Sequence, residues 1–85
     1  MATQIGEFKV PGNRLLRVVL NEYRGRERVD VRLWYEGQDG SWNPGREGVN
    51  LPVQQLPELR RLIIDAERTA VERGQLDPAD FDEND

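Results

Sequence analysis

Two consecutive runs of β-branched and aromatic residues constrain the fold of this chain more than any other feature. They cover residues 15–23 and 27–35, and Arg24-Gly25 lies between them, a pattern typical of a β-hairpin. If Tyr23 pairs with Arg26 across the turn, one face of the hairpin is wholly aliphatic. Its residues are Leu16, Val18, Leu20, Val29, Val31 and Leu33. A shift of one residue would mix leucine with arginine on both faces, so the pattern predicts this register.

The opposite face of the hairpin, called the Arg face below, alternates cations with aromatic rings. It consists of Arg17, Asn21, Tyr23, Arg26, Arg28, Asp30, Arg32 and Trp34. Arginine binds phosphate through paired hydrogen bonds, and aromatic rings stack on unpaired bases. This composition is therefore typical of a surface that binds single-stranded nucleic acid. Exposed sheet faces also carry arginine for solubility and to prevent edge-to-edge pairing. Composition alone leaves both interpretations open.

Shorter patterns predict the other strands. Residues 37–40 should form a loop, and a strand should restart at residues 41–43. The proline and glycines of residues 44–48 predict a break, and residues 49–51 can then pair only briefly. A further edge strand is expected near residues 4–10, before Pro-Gly.

Apolar residues at helical spacing predict one helix after the strands. They are Leu56, Leu59, Ile63, Ala66 and Ala70. The helix should begin within residues 53–56 and end near Arg73, with Gly74 as its stop. Pro57 must lie in the first turn because it cannot donate a hydrogen bond. The predicted fold class is therefore α+β, a four-stranded curved antiparallel sheet followed by one C-terminal helix.

The short chain favours a homodimer. A domain of 85 residues buries only about 60% of its unfolded surface, and one helix cannot cover both sides of such a sheet. A symmetric dimer through the helix would cover the remaining apolar surface. Its predicted interface residues are Leu59, Leu62, Ile63 and Ala66. The alternative is a monomer with a few exposed leucine and isoleucine side chains.

The sequence contains no His and no Cys, which excludes several classes of site. Disulfides, thiolate metal sites, and Ser-His-Asp or Cys-His catalysis all require these residues. We therefore expect no enzymatic activity, cofactor or metal. No basic segment followed by an apolar stretch begins the sequence, and no apolar run approaches the ~20 residues that span a bilayer, which predicts a cytoplasmic protein without membrane association.

The net charge of −4 hides an uneven distribution. Five of the 16 acidic residues lie after Gly74 with no base among them, so the preceding chain carries 11 acids against 12 bases. The sequence thus divides into an N-terminal segment at 1–12 with the edge strand, a domain at 13–74, and an acidic tail at 75–85 that should be disordered. Three roles for the tail remain open: recruiting partners, competing with phosphate for the Arg face, or maintaining solubility.

Three segments together resemble the positive cofactor four family of transcriptional coactivators, which bind single-stranded DNA and have bacterial relatives. The segments are Tyr23-Arg24-Gly25-Arg26, then Val29-Asp30-Val31-Arg32, then Pro44-Gly45-Arg46-Glu47-Gly48-Val49-Asn50-Leu51. They occur at matching separations without gaps, and the resemblance extends over roughly residues 14–73. It implies a dimer in which two sheets form paired channels for single-stranded DNA.

The resemblance also implies roles for individual residues. The family's base-stacking aromatics match Tyr23 and Tyr35, and its basic residues match Arg14, Arg24, Arg26, Arg32 and Arg46. The predicted register puts Trp34 on the Arg face and Tyr35 on the aliphatic face, so which of these two rings stacks is open. Trp42 could stack on a base or belong to the core. Asn43 and Glu47 replace lysines common in the family, which should weaken phosphate attraction on that side.

We therefore predict a non-enzymatic single-stranded-DNA-binding protein of low sequence specificity, nucleoid-associated, that acts in transcription regulation or DNA replication and repair. The predicted DNA-binding residues are Arg14, Arg17, Tyr23, Arg24, Arg26, Arg28, Arg32, Trp34, Tyr35, Trp42 and Arg46. RNA remains an alternative ligand because base stacking does not distinguish ribose from deoxyribose. Transcription or repair proteins are further candidate partners. The alternative function is a protein-interaction module whose Arg face and acidic tail bind protein partners.

Overall fold

The computed structural model describes residues 2–80, which form four strands followed by one α-helix. The elements are β1 (Thr3–Val10), β2 (Arg14–Tyr23), β3 (Arg26–Glu36), β4 (Trp42–Pro52), a 3₁₀ turn (Val53–Gln55), α1 (Leu56–Glu72) and a second 3₁₀ turn (Pro78–Asp80). The strands form one curved antiparallel sheet in the order β1-β2-β3-β4. This confirms the predicted fold class. The chain divides into a sheet unit that ends at Gln54 and a helical unit that begins at Gln55.

The β2–β3 hairpin has the register that the aliphatic pattern predicted. Tyr23 pairs with Arg26, and the pairs Leu20–Val29, Val18–Val31 and Leu16–Leu33 follow without a bulge. Both central residues of the turn have positive φ angles, 53° at Arg24 and 78° at Gly25. Such a turn matches the twist of the strands on either side of it, and Gly25 adopts this conformation at no steric cost.

Residues 42–52 form one strand, so the predicted break at residues 44–48 is wrong. The strand accommodates its extra residues in a bulge, because Arg32 pairs with Gly48 while Trp34 pairs with Pro44. A Cβ at Gly48 would lie 2.4 Å from the Val31 carbonyl oxygen. Gly48 therefore lets β4 approach β3 closely, within the segment of residues 44–48 whose composition indicates a break.

The edge strand expected near residues 4–10 is present as β1, with an irregularity between Gln4 and Gly6. Phe8 pairs with Leu16, which places it at the aliphatic face. The Phe8 side chain is 60% exposed. This edge of the sheet thus leaves a large apolar side chain in contact with solvent.

Few side chains of the described chain are fully buried. Among residues 2–80, Val29 is 1% exposed and Leu15 is 6% exposed, and the other apolar side chains are half-buried or exposed. Leu15 pairs with Trp34 and therefore lies on the Arg-face side of the sheet, as does Val19, which pairs with Asp30. The Arg face thus contains aliphatic residues that the sequence interpretation assigned to neither face.

The helix begins and ends where the sequence predicted. Pro57 lies in the first turn, and a 3₁₀ turn precedes Leu56. At the C-terminus, Gly74 N–H donates to the Val71 carbonyl and Gln75 N–H to the Ala70 carbonyl, at 3.0 and 2.8 Å. This pair of bonds is a Schellman motif, and the φ of 74° at Gly74 is the left-handed conformation that it requires.

Residues 75–80 follow the helix as a turn and a short 3₁₀ segment, in which Asp77 Oδ1 accepts the Ala79 N–H at 3.0 Å. The rest of the predicted disordered tail, residues 81–85, lies outside the described residues. In the described part of the chain, α1 falls short of the length and apolarity that a membrane-spanning helix needs.

Candidate nucleic-acid interface

Alternation along β2 and β3 brings most of the predicted DNA-binding residues to one face of the sheet. Arg17 pairs with Arg32, Asn21 with Arg28, and Tyr23 with Arg26, so all six side chains lie on the Arg face. Trp34 lies two residues beyond Arg32 on the same face. Trp42 is half-buried and pairs with Glu36, which places it near the same end of the face. The hairpin register thus assembles most of this surface.

Arg17 and Trp34 form a stacked pair that an acidic residue holds in place. The Arg17 guanidinium carbon lies 4.1 Å from the centroid of the Trp34 ring. Arg17 Nε also donates to Glu7 Oε1 at 2.8 Å, because Glu7 on β1 pairs with Arg17 on β2. The Arg17 side chain is only 16% exposed. Its charge is therefore already compensated, and its guanidinium covers one face of the Trp34 ring.

Asp30 and Arg32 form a second compensated pair at the centre of the Arg face. Arg32 donates to Asp30 Oδ1 through Nη2 at 2.8 Å and to Oδ2 through Nε at 3.0 Å. The hydrogen bonds from Arg32 hold the pKa of Asp30 below its usual value against partial burial, and the same bonds raise the pKa of the Arg32 guanidinium. Arg32 Nη1 also donates to the Gly45 carbonyl at 3.1 Å. Arg32 therefore ties the centre of the face to the bulge of β4.

Asn50 extends this network toward the hairpin turn. Its Nδ2 donates to Asp30 Oδ1 at 3.1 Å, and its Oδ1 accepts from Arg28 Nε. Arg28 Nη2 donates further to the Asn50 backbone carbonyl at 3.1 Å. Both acceptors of these bonds from Arg28 are neutral, so the Arg28 side chain is held in place without a carboxylate partner within residues 2–80.

Three further cations that were predicted to bind DNA, Arg24, Arg26 and Arg46, lie at the turn and in the bulge. Within residues 2–80, the side chains of Arg26 and Arg46 make no hydrogen bond or ion pair, and the Arg46 backbone carbonyl accepts from Arg32 Nη1 at 3.4 Å. The Arg24 guanidinium lies 5.2 Å from the centroid of the Tyr23 ring, and the Tyr23 side chain is 61% exposed. The hairpin turn thus presents an accessible ring beside two arginines without carboxylate partners.

Arg14 and Tyr35 lie on the aliphatic side of the sheet, where they pair with each other. The Tyr35 hydroxyl donates to Glu47 Oε1, and Arg14 Nη1 lies 3.7 Å from the same carboxylate oxygen. The Tyr35 ring passes close over Gly45, since a Cβ there would lie 2.2 Å from Tyr35 Cε2. Trp34 and Tyr35 therefore occupy opposite faces, as the predicted register requires.

Sequence reasoning missed Glu7, Val19 and Asn50 as residues of this surface. Glu7 and Asn50 belong to β1 and β4, whose registers contain bulges that local patterns do not reveal. Val19 shares its face with Arg17 and could have been assigned by alternation. Residues 2–80 bring together no cluster of three or more acidic side chains that could hold a metal ion.

Comparison with known proteins identifies relatives for most of the chain. A family model described as Transcriptional Coactivator p15 (PC4) matches residues 11–62, more than half of the sequence. An RNA polymerase II transcriptional coactivator of Drosophila melanogaster is 35% identical over 54 residues, which are 64% of this chain and 48% of that protein. The chain therefore spans about half the length of this curated relative.

Solved structures share the fold. A PC4 homolog from Burkholderia pseudomallei aligns with a TM-score of 0.71 and 27% identity, over 78% of this chain and 97% of its own. A bacteriophage T5 homolog of the eukaryotic coactivator PC4, implicated in recombination-dependent DNA replication, aligns with a TM-score of 0.59 and 19% identity, over 86% and 81%. At that identity the likeness shows the fold alone. The resemblance inferred from the three sequence segments is confirmed, and the chain belongs to the transcriptional coactivator p15 (PC4) family.

Proposed function

We propose that this protein binds single-stranded DNA with low sequence specificity, without catalysis, and acts in transcription or in DNA replication and repair. The observation that carries the proposal is the hairpin turn, where the exposed Tyr23 ring lies beside Arg24 and Arg26. Membership of a family of transcriptional coactivators supports it. A cytoplasmic, nucleoid-associated location and transcription or repair proteins as partners are parts of the same proposal.

The binding mode follows from the charges that remain uncompensated. Phosphates would contact Arg24, Arg26, Arg28 and Arg46, none of which is paired with a carboxylate in residues 2–80. A base would stack on Tyr23, which contributes about 1–3 kcal/mol per stacked base in single-strand binding proteins. Release of counterions from the phosphates would make the affinity fall steeply with salt.

We further propose a homodimer that uses α1. Leu62 and Ile63 are 58% and 52% exposed, and the core of the described residues is small. A second copy would cover these side chains together with Leu59 and Ala66, and would place two Arg faces in one assembly.

Fluorescence titration tests the proposed function. Oligo-dT of about 16 nucleotides should quench Trp34 and Trp42 emission at low salt, and Tyr23→Ala should weaken binding about tenfold. Phe8→Ala is the matched control, because Phe8 is as exposed as Tyr23 but lies on the aliphatic face. An oligo-U titration run in parallel determines whether RNA binds equally well.

A second function, a protein-interaction module, is favoured by the internal compensation of Arg17 by Glu7 and of Arg32 by Asp30. It predicts no quenching and no mobility shift with any single strand. That result would overturn DNA binding and favour a protein partner for the Arg face.

A further inference from the structure

One side of α1 carries a cluster of cations that the proposed function does not use. Its residues form two rows, each at intervals of four residues, and such rows are neighbours on one side of a helix. The rows are Pro57-Arg61-Asp65 and Arg60-Ile64-Arg68. Together they line a concavity of about 360 Å³ and are called the helix patch below.

Two arginines of the helix patch have no carboxylate partner. The side chains of Arg60 and Arg68 make no ion pair or hydrogen bond within residues 2–80, and both residues are exposed. Arg61 is paired with Glu58 in the preceding turn, where the two side chains are 62% and 69% exposed. Although Asp65 also lines the helix patch, positive charge remains there that an anionic ligand can neutralise.

Apolar side chains lie between and beside these two arginines. Ile64 is half-buried and lies one turn from both Arg60 and Arg68, and the half-buried Val71 lies one turn beyond Arg68. At a rise of about 1.5 Å per residue, Arg60 and Arg68 are about 12 Å apart along the helix axis. A ligand that fits the helix patch therefore carries two anionic groups about this distance apart and an apolar group beside them.

The acidic tail of the same chain has this chemistry. Residues 81–85, which lie outside the described residues, read Phe-Asp-Glu-Asn-Asp and contain an aromatic ring and three carboxylates without a base. Asp82 and Asp85 are three residues apart, which corresponds to about 10 Å in an extended segment. This spacing is close to that of Arg60 and Arg68.

The tail is attached close to the helix patch. Gly74 ends α1 shortly after Arg68, and residues 75–80 connect it to Phe81. A segment joined to its binding site by a short connection has an effective concentration in the millimolar range. Individual exposed ion pairs are weak, so this proximity favours the tail over a free nucleic acid as the occupant of the helix patch.

We propose that the acidic tail docks on the helix patch, with Asp82 at Arg68, Asp85 at Arg60 and the Phe81 ring against Val71. A tail held there leaves the Arg face free and does not compete with phosphate for it. Docking is compatible with the proposed dimer, whose residues lie on the opposite side of α1 by helical periodicity. The inference does not depend on single-strand binding.

A spin label on the tail tests the inference in the full chain. Since the sequence contains no Cys, Asn84→Cys gives a single labelling site and keeps every carboxylate of the tail. In NMR spectra at low salt, the nitroxide should broaden the backbone amide signals of residues 60–71 more strongly than those of residues 14–36. The broadening should disappear in about 1 M salt, where the Debye length is about 3 Å.

Charge reversal tests the cations of the helix patch. Adding Arg68→Glu to the labelled chain should remove most of the broadening of residues 60–71. Lys9→Glu is the matched control, because it makes the same change in charge at an exposed residue of β1 and should leave the broadening unchanged. The dispersion of the amide signals verifies that both variants are folded. Equal effects of the two variants would overturn the role of Arg68 and indicate a general charge effect.

Three other outcomes would overturn the docking. Stronger broadening of residues 14–36 would show that the tail lies on the Arg face instead, and no broadening of any amide would show that it does not dock. Unlabelled chain titrated with oligo-dT gives the third. If the strand shifts the amide signals of residues 60–71 while the label leaves them unchanged, the helix patch binds nucleic acid and not the tail.

Discussion

Arg32 acts in this structure as a positioning residue. The family resemblance places it among the DNA-binding residues, yet its guanidinium binds Asp30 and the Gly45 carbonyl at 3.1 Å or less. These bonds hold the bulge of β4 against β3. We propose that Arg32 affects single-strand binding through the shape of the bulge and the placement of Arg46.

The pH dependence of stability should reveal the Asp30–Arg32 pair. Because bonding to Arg32 lowers the pKa of Asp30 in the folded state, the stabilisation is present above the ordinary value of 3.8 and is lost as pH falls through the folded pKa. Asp30→Asn should reduce the free energy of unfolding by about 1–2 kcal/mol at pH 7. The difference from wild type should shrink below about pH 4. Urea denaturation at several pH values measures it, and a difference that stays constant down to pH 2 would contradict the assignment.

Glu7 should weaken single-strand binding, because it neutralises Arg17 on the Arg face. Glu7→Gln frees this guanidinium for a phosphate. We expect tighter binding at low salt and a steeper salt dependence, by about 0.7 in the logarithmic slope for one added phosphate contact. Glu72→Gln, at the end of α1, makes the same change in net charge away from the sheet and serves as the control. Equal gains in both variants would indicate a general charge effect.

The β2–β3 hairpin was predictable from the sequence, whereas the continuous strand β4 was not. The alternation in residues 15–23 and 27–35 allows only one register with an aliphatic face, and the structure has that register. In β4, Pro44 and the glycines indicate a break when only local sequence is considered. The strand continues because Arg32 and Leu33 of β3 pack against its bulge, a contact that local sequence does not encode.

Local sequence likewise predicts only part of the candidate site. The Arg face follows from the hairpin alone, so Arg17, Arg28 and Trp34 were assigned correctly to one surface. Glu7 and Asn50 reach that surface from strands whose bulges set the register. The sequence therefore predicts where the cations lie, while the structure adds the groups that neutralise or hold them.

Gly45 should tolerate no side chain, since a Cβ there would lie 2.2 Å from Tyr35 Cε2 and 3.0 Å from the Leu33 carbonyl oxygen. Gly45→Ala should destabilise the protein by about 1–3 kcal/mol in urea denaturation. Gly6→Ala in β1 is the control, because nothing lies within 4 Å of its Cβ position. Adding Tyr35→Ala to Gly45→Ala should recover part of the loss. A Gly45→Ala variant as stable as Gly6→Ala would show that the bulge adjusts without strain.

The proposed homodimer determines whether the exposed apolar side chains of α1 are covered. Ile63→Glu introduces a charge at the centre of the proposed dimer interface and should weaken association about tenfold or more, since burial of such a side chain contributes about 1.5–3 kcal/mol. Sedimentation velocity over a range of concentrations measures the shift to monomer. Arg68→Glu, on the opposite side of the helix by its periodicity, should leave the dimer intact. A wild-type chain that is monomeric at all concentrations would overturn the dimer.

Arg24 occupies a backbone conformation that is unfavourable for its residue type. Its φ of 53° belongs to a conformation that costs a side chain such as arginine about 1 kcal/mol or more, whereas asparagine or glycine adopts it readily. A screen for thermal stability alone would therefore replace Arg24 and would remove a cation from beside Tyr23. We therefore expect substitutions of Arg24 to raise the melting temperature and to lower the affinity for DNA at the same time.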